Sequence, residues 1–161
     1  MRHAMEEQQV IEKMMVRDLI QLNVQASDWR DAIRKSANPL LVEGDITKNY
    51  VDQIIASVEK YGPYFVIAPH VALAHAPSKA GAERMALGLT TLGTPVDFHN
   101  EGNDPVKYVF TLSTTDPNSH LDAMKELVGF LSDDHFYEVM DRAVDPHEIL
   151  DYIKNANALQ Q

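Results

Sequence analysis

The sequence predicts an α+β domain: a central mixed sheet carrying helices on both faces. Two observations predict it. Strand-like and helix-like segments are segregated along the chain, in the order strand, two helices, three strands, three helices, and segregation of this kind favours α+β packing. Length and composition agree, because 161 residues with 45% hydrophobic and 24% charged side chains suit one domain that buries its core without staples.

Each element has a local cause. Residues 6–19 place Val10, Ile11, Met14, Met15 and Leu19 at helical spacing, predicting a short amphipathic helix with methionines as core fillers. The helix belongs to an N-terminal extension, residues 1–18, whose first residues read as a remnant of expression; Met1-Arg2-His3-Ala4-Met5 lacks the apolar core of a signal peptide. Leu19–Val24 alternates and predicts the first strand. Asp28 caps a helix over Trp29–Ser36, with Trp29 as its buried anchor. Ala37-Asn38-Pro39 is expected to end it, since proline disfavours helical geometry in the residue before it. Leu40–Val42 then adds one further turn before Gly44. Thr47 caps a helix over Lys48–Lys60 with Val51, Ile54, Ile55 and Val58 on its apolar face.

Gly62-Pro63 breaks the chain. Tyr64–Ala68 is a buried strand by its β-rich content. Met85–Leu92 follows as another strand, ended by Gly93-Thr94-Pro95, and Val106–Ser113 as a third. Ser119 is expected to cap a helix through Leu131, with Asp122 reaching back. A second helix covers Asp134–Ala143. Asp145-Pro146-His147-Glu148 is the strongest start signal in the chain and opens a helix over Ile149–Asn157. Residues 158–161 are expected to fray. The domain itself spans residues 19–157.

Composition removes several function classes. Fourteen Lys and Arg face 24 Asp and Glu, for a net charge of −10. No basic face for nucleic acid emerges from that balance, whereas an acidic surface suits docking to basic partners as well as plain solubility. The chain has no cysteine, so disulfides, thiolate metal sites and cysteine nucleophiles are excluded. No apolar run reaches the ~20 residues that span a bilayer.

Among the seven histidines, His75 and His120 are the candidates for chemistry. His70 and His75 flank Val71-Ala72-Leu73-Ala74, directly after a buried strand, where sites are often built. A neutral imidazole has one lone pair able to attack phosphorus and one N–H that a backbone carbonyl can hold. Near its ordinary pKa of ~6.5 the ring is mostly neutral at pH 7 and needs no separate base. By local chemistry alone, an ordinary loop histidine is the commoner case for His75. His120 falls in the first turn of its helix, where amides and the helix dipole favour anions; a solvated residue is again the commoner case. His99, His135 and His147 rank lower. The His70–His75 pair lacks a third metal ligand at any recognised spacing, so no metal is expected.

The stretch Tyr61-Gly-Pro-Tyr-Phe-Val-Ile-Ala-Pro-His-Val-Ala-Leu-Ala-His75-Ala resembles the mannitol/fructose superfamily of enzyme IIA domains of the sugar phosphotransferase system. The Gly62–Pro69 run and Asn103-Asp104-Pro105-Val106 are most similar to its ascorbate-type branch, and Asp116-Pro-Asn-Ser-His120-Leu fits the second histidine motif. The resemblance covers roughly residues 19–157. It implies a three-layer α/β/α sandwich. It implies a cytoplasmic phosphotransferase component in which His75 carries the phosphoryl group and His120 stabilises it, together with amides at the start of the His120 helix. His70, Ser78 and Ser113 are candidate auxiliary donors. The implied partners are the HPr phosphocarrier, which donates, and an EIIB component, which accepts; contact with the membrane EIIC component runs only through EIIB. The implied sugar is ascorbate or a related one, and no cofactor is needed. Ala74 stands where the family usually has proline, His70 where it often has glycine, and the arginine that mannitol-type members carry near Val58-Glu59 has no counterpart. Two rival readings remain on the sequence: a regulatory module sensing phosphorylation state, and a binding domain that has lost transfer through Ala74 and His70.

Overall fold

A computed structural model describes residues 10–159. Along the chain run α1 (Val10–Met14), β1 (Ile20–Val24), α2 (Trp29–Val42), α3 (Lys48–Tyr61), β2 (Val66–Ala68), β3 (Val71–Ala74), β4 (Ala86–Val96), β5 (Val106–Ser113), α4 (Pro117–Leu131), α5 (Asp134–Arg142) and α6 (Pro146–Leu159). His3 and the expected helical residues 6–9 lie outside the described residues, as do Gln160 and Gln161.

The strands form one sheet in the order β1-β4-β5-β3-β2. β1 is parallel to β4 and β3 to β5, while β4–β5 and β2–β3 are antiparallel, so the sheet is mixed. Each face carries its own core. On one, α2 and α3 pack Trp29, Ile33, Leu40 and Ile54 over Ala72, Ala74 and Val109. On the other, α1, α4, α5 and α6 pack Ile11, Leu127, Phe136 and Ile149 over Val71, Leu73, Phe110 and Leu112. Alternate residues of a strand point to opposite faces, so β3 and β5 feed both layers. This is the three-layer sandwich with a mixed sheet that the sequence predicts.

The structure adds one strand, β3, all four of whose residues are buried. The turn before it is made by Pro69, whose ring fixes a negative φ, and by His70 at φ +69°. That φ pattern belongs to a type II turn, which normally advertises itself with glycine at the second position. Here histidine hides it.

Two expected breaks do not occur. Pro39 lies inside α2, where it offers no N–H to the Lys35 carbonyl one turn back. That carbonyl accepts instead from Gln21 Nε2 of β1, at 2.8 Å, and Leu40 is fully buried; a long-range partner and burial carry the helix past the proline. β4 likewise continues through Gly93-Thr94-Pro95 to Val96, beyond the last residue paired with β1, Leu92. Proline is tolerated where one side of a strand needs no ladder bond.

The expected buried strand Tyr64–Ala68 is shorter, Val66–Ala68, and lies at the edge of the sheet with Ile67 exposed; the other main differences lie at helix ends. α4 is capped by Asp116, whose carboxylate accepts from Ser119 N–H, and begins at Pro117 rather than after Ser119. α6 runs to Leu159, and Asn157 in its last turn is only 3% exposed.

Candidate functional site

β3 and β5 run side by side in parallel, with Ala74 opposite Thr111. Their C-terminal ends therefore open on the same edge of the sheet. His75 is the first residue beyond β3, and Thr114 the first beyond β5. After Thr114 the chain turns at Asp116 into α4 and brings His120 back over the same edge.

The geometry of His75 fixes its protonation. Nδ1 lies 2.8 Å from the Leu73 carbonyl oxygen. A carbonyl only accepts, so Nδ1–H donates, and the lone pair of the neutral ring sits on Nε2. The His120 ring lies 5.3 Å from the His75 ring, centroid to centroid, tilted by 57°. Its Nδ1 is 3.3 Å from Thr114 Oγ1. Burial, and then the neighbouring His75, hold the His120 pKa below its ordinary value, so this ring is neutral at pH 7. The edge of the half-exposed Tyr64 ring packs against His75 with centroids 5.9 Å apart. Two imidazoles thus share one partly open pocket, each with its Nδ1 held by a neighbouring oxygen.

Below the pocket, Tyr50 of α3 ties the two strand ends together. Its hydroxyl accepts from Ala76 N–H at 3.1 Å and donates to the Leu112 carbonyl at 2.6 Å. The side chain is 1% exposed. The backbone just beyond His75 and the backbone just before Thr114 are therefore held by one phenol.

Comparison with known proteins decides the family. The model described as "Phosphoenolpyruvate-dependent sugar phosphotransferase system, EIIA 2" matches residues 6–156. The chain belongs to this EIIA family. The ascorbate-specific PTS system EIIA component of Shigella boydii serotype 4 (strain Sb227) is 31% identical over 140 residues, covering 86% of this chain and 91% of that protein. The solution structure of the mannitol-specific cryptic phosphotransferase enzyme IIA from Escherichia coli superposes with a TM-score of 0.80 at 30% identity, covering 90% of this chain and 98% of the other. A complex of enzyme IIA and phosphorylated enzyme IIB for mannitol, also from Escherichia coli, shares the fold at TM-score 0.76 and 18% identity, covering 88% and 99%.

Within this EIIA fold the two principal candidates, His75 and His120, are neighbours. Of the auxiliary candidates, His70 and Ser113 are committed elsewhere. His70 precedes β3 and His75 follows it, so at ~3.3 Å per residue the two stand about 16 Å apart along the strand. His70 Nδ1 bonds the Pro105 carbonyl at 2.7 Å, and its role is in the turn. Ser113 is fully buried, with its hydroxyl donating to the Arg84 carbonyl at 2.7 Å; it ties β5 to the segment before β4 and is not free for a phosphoryl oxygen. Ser78 is exposed at the start of the 3-10 turn Ser78–Ala80, three residues after His75.

At the start of α4 two amides are already committed to Asp116. Pro117 has none, Ser119 N–H goes to the Asp116 carboxylate at 2.8 Å, and His120 N–H to the Asp116 carbonyl at 3.2 Å. The His120 side chain is carried to the pocket by the first turn of α4. Near Val58-Glu59, where the arginine has no counterpart, Glu59 pairs with Arg30 at 3.0 Å. Arg84 pairs with Asp45 at 3.2 Å. His99 sits in the loop after β4, His135 in the first turn of α5 with its ring against Glu138, and His147 in the first turn of α6 with its N–H donating to Asp145. No cluster of three or more His, Asp or Glu able to hold a metal occurs among the described residues.

Sequence reasoning missed Tyr50, Tyr64 and Thr114. Tyr50 had a readable signal, since it continues the Ile54–Val58 stripe of α3 at helical spacing. A phenol on a buried stripe needs a partner. Thr114 carried none.

Proposed function

We propose that this EIIA protein relays a phosphoryl group through His75, accepting it from the phosphohistidine carrier HPr and passing it to an EIIB component for uptake of ascorbate or a related sugar. The observation that carries this reading is the pairing of His75, held by Leu73 with Nε2 as its nucleophilic nitrogen, with His120 at a centroid distance of 5.3 Å.

The Nε2 lone pair attacks the carrier's phosphorus in line. The new N–P bond forms as the carrier's N–P bond breaks and its electron pair returns to the carrier's ring. Nδ1–H stays on the Leu73 carbonyl throughout, so no base is required. Phosphoryl transfer of this kind depends on positioning and charge stabilisation, and His120 is placed to donate to the phosphoryl oxygens. The EIIB partnership is supported by the family and by the mannitol IIA–IIB complex of the same fold. The sugar is suggested by the ascorbate-specific relatives. No described helix is long and apolar enough to cross a membrane, which accords with a cytoplasmic relay reaching the transporter through EIIB.

The test is incubation with phosphoenolpyruvate, enzyme I and HPr, followed by intact-mass measurement. The wild-type protein gains one phosphoryl group, His75→Ala gains none, and His120→Ala gains it about 10- to 100-fold more slowly. Full labelling of the His75 variant overturns the assignment.

A further inference from the structure

We propose that Thr114 is a positioning residue, whose hydroxyl donates to His120 Nδ1 and so fixes this ring with its proton on Nε2, facing the transferred phosphoryl group. The proposal rests on the relay reading of the pocket.

A neutral imidazole has one donor nitrogen and one acceptor nitrogen, and the assignment decides what the ring does. With the proton on Nε2, His120 donates to a phosphoryl oxygen. With the proton on Nδ1, the Nε2 lone pair meets a doubly charged group and repels it. Since burial and His75 keep His120 uncharged, the ring cannot donate from both nitrogens. Its tautomer must be set by whatever holds Nδ1.

Thr114 Oγ1 lies 3.3 Å from that nitrogen, and the residue is 7% exposed. A hydroxyl is both donor and acceptor, so distance alone leaves the sense open. The hydroxyl's own proton decides it. Among the described residues Thr114 Oγ1 has no hydrogen-bonding partner but His120. Were Nδ1–H to donate, the threonine proton would be left without a protein acceptor at a nearly buried site, an arrangement that folded proteins avoid. Donation to Nδ1 satisfies both groups with one bond.

The pocket then holds two histidines in opposite tautomers, each set by its backing group. Leu73 O, an obligate acceptor, leaves His75 with a nucleophilic Nε2. Thr114 O–H, acting as donor, gives His120 a donating Nε2. One ring supplies the electron pair and the other the hydrogen bond.

The experiment compares Thr114→Val and Thr114→Ser with wild type. Two-bond ¹H–¹⁵N spectra of the free protein at pH 8 are expected to show His75 protonated on Nδ1 and His120 on Nε2. A hydrogen bond donated to neutral imidazole disfavours its protonation. Removing it in Thr114→Val is therefore expected to raise the His120 titration midpoint, and Thr114→Ser to restore it. Single-turnover transfer from phosphorylated HPr is expected to slow about threefold to tenfold in Thr114→Val with the carrier's Kd unchanged, and to recover in Thr114→Ser. Nδ1 protonation of His120 in wild type overturns the proposal. So does a His120 midpoint that falls in Thr114→Val, which would mean that Thr114 accepts, and so does a Thr114→Ser protein as slow as Thr114→Val. Failure of the relay itself reads differently: wild type would then take no label, whatever its tautomers.

Discussion

Ser113 and Tyr50 both bury a hydroxyl within a few residues of the pocket, yet only one of them steadies its floor. Ser113 Oγ bonds the Arg84 carbonyl, so Ser113→Ala should cost about 1 kcal/mol of folding stability while phosphoryl uptake stays at the wild-type rate. Tyr50→Phe removes the partner of both Ala76 N–H and the Leu112 carbonyl. Leaving buried groups unpaired costs about 1–3 kcal/mol, and here the loosened backbone adjoins His75, so uptake should slow as well. Urea unfolding read beside labelling rates separates the two variants; equal rates for both would remove Tyr50 from the site. The same pair shows what a sequence can reveal at this scale. His75 and His120 were legible because their motifs carry them. Tyr50 was not, because its partners lie 26 and 62 residues away, and no local pattern encodes a bond of that range. Ser113, adjacent to the pocket in sequence, was misread for the converse reason: its hydroxyl turns to a carbonyl 29 residues off.

At the scale of elements, the legible features were those with local causes. The Asp28, Thr47 and Asp145-Pro146 signals placed three helix starts, and the stripe on α3 placed its buried face. β3 escaped because Val-Ala-Leu-Ala is buried on both faces and shows no alternation, and because its turn uses a histidine at positive φ. The unbroken α2 escaped because Gln21, on another element, supplies what Pro39 withholds. That compensation is measurable. Gln21→Ala should destabilise the protein by about 1 kcal/mol through the lost bond to Lys35 O, together with its contact to Thr90 Oγ1 at 3.0 Å. In a Pro39→Ala background the residue-39 amide can serve the Lys35 carbonyl, and the Gln21→Ala cost should shrink. A double-mutant cycle by urea unfolding gives the coupling, and strict additivity would mean that Gln21 does not compensate for the proline.

At the scale of the molecule, Glu126 joins three elements that come from opposite ends of the chain. It stands on α4, its Oε2 accepts from Ile11 N–H of α1 at 3.0 Å, and the buried Asn157 of α6 lies close enough to favour its charged form. Strict geometry nevertheless leaves Glu126 Oε1 and Asn157 Nδ2 without a hydrogen bond. Burial dominates, with Glu12 adding like charge, and the carboxyl is pushed up to about 7 from 4.5. The folded protein therefore binds more protons than the unfolded chain between these two values, and stability must fall as pH rises across that window, levelling off above it. A shift of this size corresponds to about 3 kcal/mol at most, and solvent at the half-buried carboxyl reduces it to about 1–2 kcal/mol. Gln at this position keeps an acceptor for Ile11 N–H and removes the titration. Glu126→Gln should thus match wild type near pH 4.5 and exceed it by that margin at pH 8, as measured by urea unfolding at each pH. A difference between the two proteins that does not change with pH would mean that the α1–α4–α6 junction does not hold a carboxyl with a raised pKa.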